Sequence, residues 1–380
     1  MKVAGAWVDH PGTQSLCQVL EQAGFCALFV GGCVRNALMG IPVSDIDIAT
    51  DAWPETVSNL AENAGFRVVP TGIDHGTVTV IADGVAHEVT TFRRDVQTDG
   101  RHAVVAFSDR VEEDAARRDF TMNALYADRH GVVIDPLGGL QDLLARRVRF
   151  VGDPGARIAE DFLRILRFFR FFSHYGDPRW GIDAEGLAAC AANSAGLETL
   201  SRERIGAEMR KLLAAPDPAP AVASMAAAGV LAAVIPGVDV RALAPLVHLE
   251  GLRPPRWLRR LAVLGGQDVC DRLRLSRRDA TDLGRIRDEI GGGHSPAALG
   301  FVLGDALGAD TVLARAALME QPLPEGWEAE VARGAGATFP LRAADLIDRV
   351  QGPALGAALG AARKRWLASN LTLTRAQLLG

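Results

Sequence analysis

The sequence predicts an α+β protein, with an α/β head of about 150 residues followed by an all-helical remainder. In the head, short apolar runs alternate with turns and helical patterns. After Asp153, helices rich in Ala, Leu and Arg are separated by Pro and Gly, with almost no strand signal. The composition, 48% hydrophobic and 23% charged, excludes disordered, collagen-like and disulfide-scaffold chains. With 380 residues, we expect two or more domains.

Charge and cysteine content exclude several classes of protein. The net charge of −5 does not indicate a nucleic-acid binder, so any RNA site must be a local patch. Five scattered cysteines without a CxxC pair argue against a disulfide framework or zinc site and favour the reducing cytoplasm. The N-terminus lacks the apolar core of a signal peptide. The uncharged run Ala219–Val238 is mostly alanine, and we predict two short buried helices broken at Gly229 rather than a membrane span.

The first part of the head reads as strand, helix and strand. The apolar run Ala27–Val30 predicts a strand that ends in two glycines. Val34–Met39 predicts a helix, and Asp45–Ala49 alternates acidic and apolar residues as a two-faced strand does.

A hairpin and a long connection follow. Thr77–Ile81 and Val85–Thr91 are rich in β-branched residues and flank Asp83-Gly84, which predicts two paired strands. Phe92–Ser108 is polar, without a clear period, and is predicted to be a mobile loop.

The end of the head and the next segment are predicted from shorter patterns. We expect a helix over Arg118–Ala127, a short strand over Val132–Ile134 and a turn over Asp135–Gly139. Ala159–Ser173 is strongly apolar with regularly spaced arginines, which predicts one helix.

The glycine pair suggests a phosphate site. Gly31 and Gly32 at a strand end let backbone N–H groups approach an anion, and Arg35 can fork onto a phosphate. A plain strand-to-helix turn is the alternative.

The acid pair suggests a metal site. Asp45 and Asp47 are two apart on a strand, so their carboxylates share a face and repel unless a cation lies between them. Hard oxygen ligands suit Mg²⁺, although a solvated acidic strand end is the alternative. A phosphate-binding turn about a dozen residues before such a pair describes a nucleotidyltransferase palm. Glu88 is either a third carboxylate at this site or a strand acid in an ion pair.

Two further segments carry charged groups. An arginine of the run Arg117–Ala124 can reach a triphosphate, unless the run is a capped surface helix. Asp161 and Arg164 present an acceptor beside donors, an arrangement that fits cytosine and adenine and rejects uracil and guanine. An intrahelical salt bridge is the alternative. Arg164, Arg167 and Arg170 recur every three residues along the same helix.

In this order, these segments closely resemble the class II CCA-adding tRNA nucleotidyltransferases and their bacterial poly(A) polymerase relatives. The resemblance is specific over residues 25–212 and looser beyond. The matching segments are Gly31-Gly32-x-Val34-Arg35, Leu38-x-Gly40-x-Pro42-x-x-Asp45-x-Asp47, Arg117-Arg118-Asp119-Phe120-Thr121-x-Asn123-Ala124, Asp135-Pro136-x-Gly138-Gly139, Glu160-Asp161-x-x-Arg164, Glu203-Arg204-Ile205-x-x-Glu208, Ala344-Asp345-Leu346 and Gly352-Pro353-x-x-Gly356.

The resemblance implies a polymerase-β-like head over residues 1–150, a neck with a nucleotide-selecting helix over 151–215, and an RNA-binding body and tail over 216–380. It implies that Asp45 and Asp47 hold catalytic metals, with Glu88 as a further candidate. The nucleotide-binding residues it implies are Gly31, Gly32, Arg35, Arg118, Asp161, Arg164, Arg167 and Arg170. The loop Phe92–Ser108 would help to switch from C to A addition. Asn36 departs from the Asp that is usual in the family, which puts only a local helix-cap contact in doubt.

The activity that the resemblance implies is attack of a tRNA 3′-hydroxyl on the α-phosphorus of CTP or ATP, with Mg²⁺ as cofactor and pyrophosphate as product. No membrane or protein partner is implied. Residues 253–287 contain ten arginines against four acids, and this region would bind tRNA phosphates, with Arg259, Arg260, Arg277 and Arg278 as candidates. A solvated helix face is the alternative there.

Other functions stay open at this point. A poly(A) polymerase shares the head motifs but usually carries a longer basic C-terminal extension. A partial activity, adding only CC or only A, is also compatible, and so is a catalytically dead RNA-binding protein, although the complete acid pair speaks against it. A small-molecule nucleotidyltransferase would not need the Asp161/Arg164 pair.

Overall fold

The computed structural model describes residues 1–73, 76–99 and 102–380, and the chain divides into two compact units. The first comprises residues 1–200 with 227–230, and the second comprises residues 201–226 with 231–380. The predicted division into a head, a neck and a body, with boundaries at residues 150 and 215, is finer than these two units and stays a prediction.

A mixed sheet forms the centre of the first unit. Its strand order is β3-β4-β5-β2-β1-β8-β9, with β2 and β5 parallel and the other neighbours antiparallel, and β6 and β7 pair separately. The strands are β1 Leu28–Val30, β2 Ile46–Thr50, β3 Arg67–Gly72, β4 Thr77–Ala82, β5 Val85–Thr91, β6 Arg93–Asp99, β7 His102–Phe107, β8 Tyr126–Ala127 and β9 Val133–Ile134.

Helices flank this sheet and continue the chain beyond it. They are α1 Pro11–Gln22, α2 Gly32–Leu38, α3 Pro54–Asn63, α4 Val111–Ala116, α5 Gly139–Leu144, α6 Pro154–Glu160, α7 Leu163–Tyr175 and α8 Ala184–Ala192, with 3₁₀ turns at Thr121–Asn123, Pro178–Trp180 and Ser194–Thr199. Asp153 and Asp183 begin α6 and α8, and each accepts a hydrogen bond from the backbone N–H of the third residue of its helix.

The hairpin predicted around Asp83-Gly84 is confirmed. Both residues have positive φ, 49° and 78°, as a two-residue primed turn requires. β4 alternates half-buried and buried residues, so one of its faces packs on the core.

An aromatic cluster holds α7 against the head. Phe120 lies 5.0 Å from Phe150 and 4.8 Å from Phe171, measured between ring centroids, and Phe150 stacks on Phe168 at 5.2 Å. Because aromatic pairs of this kind add to the free energy of area burial, the cluster fixes α7 beside the segment that contains Phe120.

Three predictions about the head and neck are wrong. Phe92–Ser108 is not an irregular loop, since most of it forms the antiparallel pair β6 and β7. Arg118–Ala127 is not a helix, because this segment, buried from Asp119 onward, forms a 3₁₀ turn and then β8. Ala159–Ser173 is two helices rather than one, because Asp161 has extended backbone angles of −154° and 105° that end α6.

The chain from Arg202 onward is helical, as predicted. The helices are α9 Arg202–Leu213, α10 Ala219–Ala227, α11 Val230–Val234, α12 Leu243–Glu250, α13 Trp257–Leu264, α14 Val269–Arg272, α15 Arg277–Ile290, α16 Pro296–Leu303, α17 Asp305–Leu318, α18 Trp327–Ala335, α19 Pro353–Ala368 and α20 Arg375–Leu379, with a 3₁₀ turn at Ala343–Asp345. Gly229, with φ of 74°, separates α10 from α11, which confirms the predicted break. In the described part of the chain, each helix is too short or too polar to cross a bilayer.

Candidate active site

The glycine pair forms a tight turn between β1 and α2. Gly31 has φ of 70° and ψ of −116°, a conformation that a residue with a Cβ rarely adopts. A Cβ on Gly31 would lie 3.4 Å from Nη1 of Arg118. The turn therefore needs glycine for its backbone angles, and Arg118 stands next to it.

The acid pair lies at the start of β2, with Asp45 just before the strand and Asp47 within it. The intervening Ile46 and the following Ile48 are buried, so the two acids occupy the other face. Glu88 on β5 is the register partner of Asp47, which places the two side chains on the same face of the parallel pair. The sheet thus places the three carboxylates that the sequence singled out on one face.

The electrostatics of this face favour a cation. The pKa of Asp47 is raised to about 6, first by burial and then by the Glu88 and Asp45 carboxylates, while Arg118 and Arg35 act in the opposite sense. Two aspartates that disfavour each other's charge are a suitable donor set for a hard divalent ion. Within the described residues, no three His, Cys, Asp or Glu side chains are arranged to hold a metal, so Asp45 and Asp47 are the candidate ligands and Glu88 stays a prediction.

The glycine turn and the acid pair are joined by Cys33. Its thiol donates to the carbonyl of Val30 at 3.3 Å and to the carbonyl of Asp47 at 3.7 Å. These contacts fasten the first turn of α2 to β2. The structure therefore brings together the predicted phosphate turn, the predicted metal ligand and Arg118.

The guanidinium of Arg35 is not free to bind a phosphate in the way that the sequence predicted. It is 7% exposed, and its Nη1 donates to Asn123 at 2.6 Å. Its Nη2 donates to Asn36 and to the hydroxyl of Tyr175, both at 2.8 Å. Asn36, at the position where the family usually has Asp, is thus a direct partner of Arg35. Any contact of Arg35 with phosphate would have to share this guanidinium with three side chains.

Arg118 is held by two residues that the sequence analysis did not single out. Its Nη2 donates to Asp114 at 2.8 Å and its Nε donates to the hydroxyl of Tyr126 at 3.0 Å. Tyr126 in turn donates to Asp114 at 2.7 Å. Burial alone would raise the pKa of Asp114, but Arg118 and Arg117 outweigh it and lower the value to about 2. The spacing of four residues between Asp114 and Arg118 was the available sequence signal.

A chain of hydrogen bonds runs from α2 to α7. Arg35 donates to Asn123, the side chain of Asn123 donates to Asp119 at 2.9 Å, and Asp119 accepts from Nε of Arg167 at 2.8 Å. Burial raises the pKa of Asp119, but Arg167 and Asn123 reverse the shift and leave it below the ordinary value. The charged segment around Asp119 therefore connects the phosphate turn to the predicted selecting helix.

Asp161 and Arg164 lie close together but not within one helix. A side-chain oxygen of Asp161 accepts from the N–H of Leu163 at 3.0 Å, at the start of α7. Nη1 of Arg164 donates to Glu160 at 2.5 Å and to the carbonyl of Arg157 at 2.8 Å. Asp161 lies between the two helices, because α6 ends at Glu160, and its backbone carbonyl accepts from the N–H of Arg164 at 2.9 Å. The ion pair with Glu160 fixes the orientation of the Arg164 guanidinium.

Arg167 and Arg170 complete the arginine series on α7. Both guanidinium groups lie over the ring of Phe171, with Cζ 5.4 and 4.6 Å from its centroid. The side chain of Arg167 is 32% exposed despite its bond to Asp119. It is therefore placed to meet a ligand while it stays anchored to the head.

Two of the four predicted RNA-binding arginines are buried, and that prediction is wrong. Arg259 and Arg260 are 2% and 1% exposed. Arg259 bonds to Glu250 at 2.8 Å and to Asp310 at 3.0 Å, and Arg260 bonds to Glu250 at 2.6 Å and to the carbonyl of Leu213 at 2.8 Å. Their charges are neutralised inside the fold and cannot face a phosphate.

The other two arginines are exposed at the start of α15. Arg277 and Arg278 both lie on the surface, and the side chain of Arg278 is 92% exposed. Their role in RNA binding stays a prediction. Several other arginines of residues 253–287 bond to protein groups, namely Arg253, Arg256, Arg274, Arg285 and Arg287. The local excess of positive charge is thus mostly used in folding.

Comparisons with known proteins agree with these segments. Residues 27–149 match the family described as "Poly A polymerase head domain", and residues 181–241 match "Probable RNA and SrmB-binding site of polymerase A". The CCA-adding enzyme of Geobacillus thermodenitrificans is 40% identical over 245 residues, which are 64% of this chain and 55% of that protein. The human mitochondrial CCA tRNA nucleotidyltransferase 1 is 41% identical over 203 residues, which are 53% of this chain and 47% of that protein. The matched region thus spans about half the length of these curated relatives.

Solved structures extend the similarity to nearly the whole chain. The CCA-adding enzyme of Bacillus stearothermophilus in complex with CTP superimposes with a TM-score of 0.70 at 30% identity, covering 94% of this chain and 92% of that one. The Thermotoga maritima CCA-adding enzyme complexed with tRNA shares the fold, with a TM-score of 0.67 at 19% identity, over 96% of this chain and 92% of that one.

Proposed function

The chain belongs to the family of class II CCA-adding enzymes and poly(A) polymerases, and from this premise we propose that it adds CCA to the 3′ ends of tRNA. The substrates are CTP, ATP and a tRNA that lacks its 3′ end, and the product besides the extended tRNA is pyrophosphate. The observation that carries the proposal is the convergence of the Gly31 turn, Asp47 and Arg118 on one face of the sheet, with α7 linked to them through Asp119.

In this proposal, different residues of the chain have different roles in in-line nucleotidyl transfer. A divalent ion, which we propose to be Mg²⁺, would be held by Asp45 and Asp47 and would supply charge neutralisation and a lowered pKa for the attacking hydroxyl. The backbone of Gly31 and Gly32 approaches the triphosphate without a side chain in the way. Arg118, fixed by Asp114 and Tyr126, presents positive charge next to that turn.

Nucleotide choice is assigned to the start of α7. In this proposal Asp161 accepts the exocyclic amino group that cytosine and adenine share, and Arg164 donates to the adjacent ring nitrogen. Glu160 keeps Arg164 oriented. Arg167 and Arg170 support the nucleotide from the next turns of the helix. The helical regions 151–215 and 216–380 are proposed as neck and RNA-binding body, with Arg277 and Arg278 as phosphate contacts. The cysteine pattern supports a cytoplasmic location.

One assay tests the proposal and separates it from its main alternative. A tRNA lacking its 3′ end is offered each nucleotide separately and all four together, and the products are sequenced. Addition of C, C and A, and then no more, supports the proposal. Long A tails would assign the chain to the poly(A) polymerases, and addition of a single A would make it a partial enzyme. No incorporation at any divalent metal concentration would contradict nucleotidyl transfer altogether.

A further inference from the structure

An open cavity lies away from the acid pair, between two loops of the first unit. Its volume is about 560 Å³, and its walls are Ala145, Arg146, Arg147 and the segment from Trp180 to Ala184. None of these residues was singled out by the sequence analysis, and none has a role in the proposed reaction.

The indole of Trp180 is the unusual element of this cavity. It is 82% exposed, although a tryptophan normally contributes a large buried area. Trp180 ends a 3₁₀ turn that Asp177 begins by accepting from the N–H of Arg179 at 3.0 Å. Gly181 follows with φ of 74°, which turns the chain away behind the ring. The indole is therefore presented to the outside by an ordered turn.

Another part of the cavity wall carries two exposed arginines, Arg146 and Arg147. The backbone carbonyl of Arg146 accepts from the N–H of Asp177 at 3.1 Å, which joins the two loops. Within the described residues, the guanidinium of Arg146 makes no hydrogen bond and no ion pair within 4 Å, although its charge helps to lower the pKa of Asp177. Arg147 has only a long contact, 4.0 Å, with Asp142, and its side chain is 57% exposed.

The acids near the cavity are already engaged. Asp177 forms a bidentate pair with Arg179, at 3.0 and 2.6 Å. Asp183 accepts from the N–H of Gly186 at 2.9 Å and begins α8. Asp142 is buried and bonds to Arg149 at 3.1 Å. The cavity thus combines an open aromatic face with two available guanidinium groups.

From this combination we propose that the cavity binds one unpaired nucleotide of the RNA substrate, with its base on Trp180 and its phosphate on Arg146 and Arg147. An aromatic face beside guanidinium groups is the general means by which proteins hold single-stranded nucleic acid without reading its sequence. An uncharged peptide segment would use the apolar wall but not the two exposed guanidinium groups. The proposal rests on the proposed function, because it takes the substrate to be RNA.

The position of the cavity suits an RNA whose 3′ end is at the acid pair. Trp180 follows Tyr175 by five residues, and Tyr175 contacts Arg35. Five residues span at most about 18 Å. The indole therefore lies within that distance of Tyr175, whose partner Arg35 lies next to the glycine turn, and a few nucleotides of RNA can span it.

The test compares Trp180→Ala with Trp180→Phe and Arg146→Gln, using steady-state kinetics and intrinsic fluorescence. We expect Trp180→Ala to raise the KM for tRNA about tenfold and leave kcat and the KM for CTP unchanged, since loss of one stacked base has this size. Trp180→Phe should retain most of the affinity, and Arg146→Gln should reduce the salt dependence of tRNA binding. Arg241→Gln, an exposed arginine paired with Asp239, is the charge-matched control.

Binding itself is followed by quenching of tryptophan fluorescence with tRNA that lacks its 3′ end. A fraction of the quenching should disappear in Trp180→Phe, whereas CTP alone should give equal quenching in both proteins. An unchanged KM for tRNA in Trp180→Ala would overturn the proposal and leave the indole to another partner, such as a protein. A parallel rise in the KM for CTP would overturn it in favour of a free-nucleotide site. If the wild type binds tRNA with this quenching but adds no nucleotides, the proposed function fails and the cavity assignment stands.

Discussion

Arg35 and Tyr175 are joined by two contacts at once. Nη2 of Arg35 donates to the hydroxyl of Tyr175 at 2.8 Å, and its Cζ lies 4.1 Å from the centre of the same ring. The chain contains only one other tyrosine, Tyr126, and it accepts from Arg118 at 3.0 Å. Both tyrosines of this protein therefore hold arginines that are candidates for nucleotide binding.

Replacement of Tyr175 by Phe should weaken nucleotide binding. The ring would still lie against Arg35, but the hydrogen bond to a charged group, worth about 1.5 kcal/mol, would be lost. We expect the KM for CTP and ATP to rise about tenfold and the melting temperature to change little. Tyr175→Leu, which also removes the ring, should have a larger effect. Equal kinetics for wild type and Tyr175→Phe would show that the bond does not position Arg35.

Asp45→Asn should abolish most of the turnover and leave the fold intact. Asp45 is exposed, so its neutralisation removes a metal ligand and little packing. We expect kcat to fall by at least about 100-fold, because the developing charge is no longer neutralised. The matched control is Asp9→Asn, an exposed aspartate outside the site. A variant with near wild-type kcat at saturating metal would remove Asp45 from the catalytic residues.

The buried pair of Asp114 and Arg118 should give the protein a defined loss of stability in acid. The pKa of Asp114 is lowered from 3.8 to about 2, so its contribution to stability is complete above pH 3.8 and is lost as pH falls through about 2. The shift corresponds to about 2 kcal/mol. Urea unfolding at several pH values should show this loss in the wild type and not in Asp114→Asn. Parallel curves for the two proteins would contradict the assignment.

Asp161→Ala should relax the choice of base. The variant loses the acceptor for the exocyclic amino group, so discrimination against UTP and GTP should fall by about 10- to 100-fold. The rate with CTP should fall less than the discrimination does. Misincorporation is measured by sequencing products formed from each nucleotide alone. A uniform loss of activity with all four nucleotides would instead indicate that Asp161 only begins α7.

Arg259 and Arg278 should behave oppositely when substituted. Arg259→Met removes the guanidinium that bridges Glu250 and Asp310, so Glu250 keeps only Arg260 and Asp310 keeps only the half-exposed Arg256. Loss of these buried hydrogen bonds to charged groups should cost about 2–3 kcal/mol of unfolding free energy. Arg278→Gln should change stability by less than about 0.5 kcal/mol but should weaken tRNA binding at low salt. The two are compared by denaturant unfolding and by filter binding at several salt concentrations. No effect of Arg278→Gln on binding would leave α15 without an RNA role.

Local patterns predicted the parts of the fold that have short-range causes. The turn at Asp83-Gly84 and the break at Gly229 depend on residues that tolerate positive φ, and both were visible in the sequence. The helix predicted over Arg118–Ala127 failed because residues 119–127 are all buried, polar ones included. A segment without a solvent-exposed face has no helical period of apolar and polar residues to recognise, so tertiary packing decided its conformation.

In the candidate site, too, features with local causes could be predicted and features that depend on tertiary packing could not. The spacing of Asp45 and Asp47 specified that both acids share a face, since strand geometry alone decides it. The burial of Arg259 and Arg260 could not be predicted, because their partners Glu250 and Asp310 lie on other helices. Charge counts treat every arginine as solvated, and only the folded chain shows which ones are matched inside.

The relay from Arg35 through Asn123 and Asp119 to Arg167 has a consequence for attempts to retune this protein. Under the proposed function, Arg167 supports the nucleotide and also anchors the carboxylate that steadies Asn123, so exchanging Arg167 should disturb the arginine at the glycine turn as well. Selection experiments for altered nucleotide binding should therefore recover paired changes at positions 119 and 167 more often than single ones.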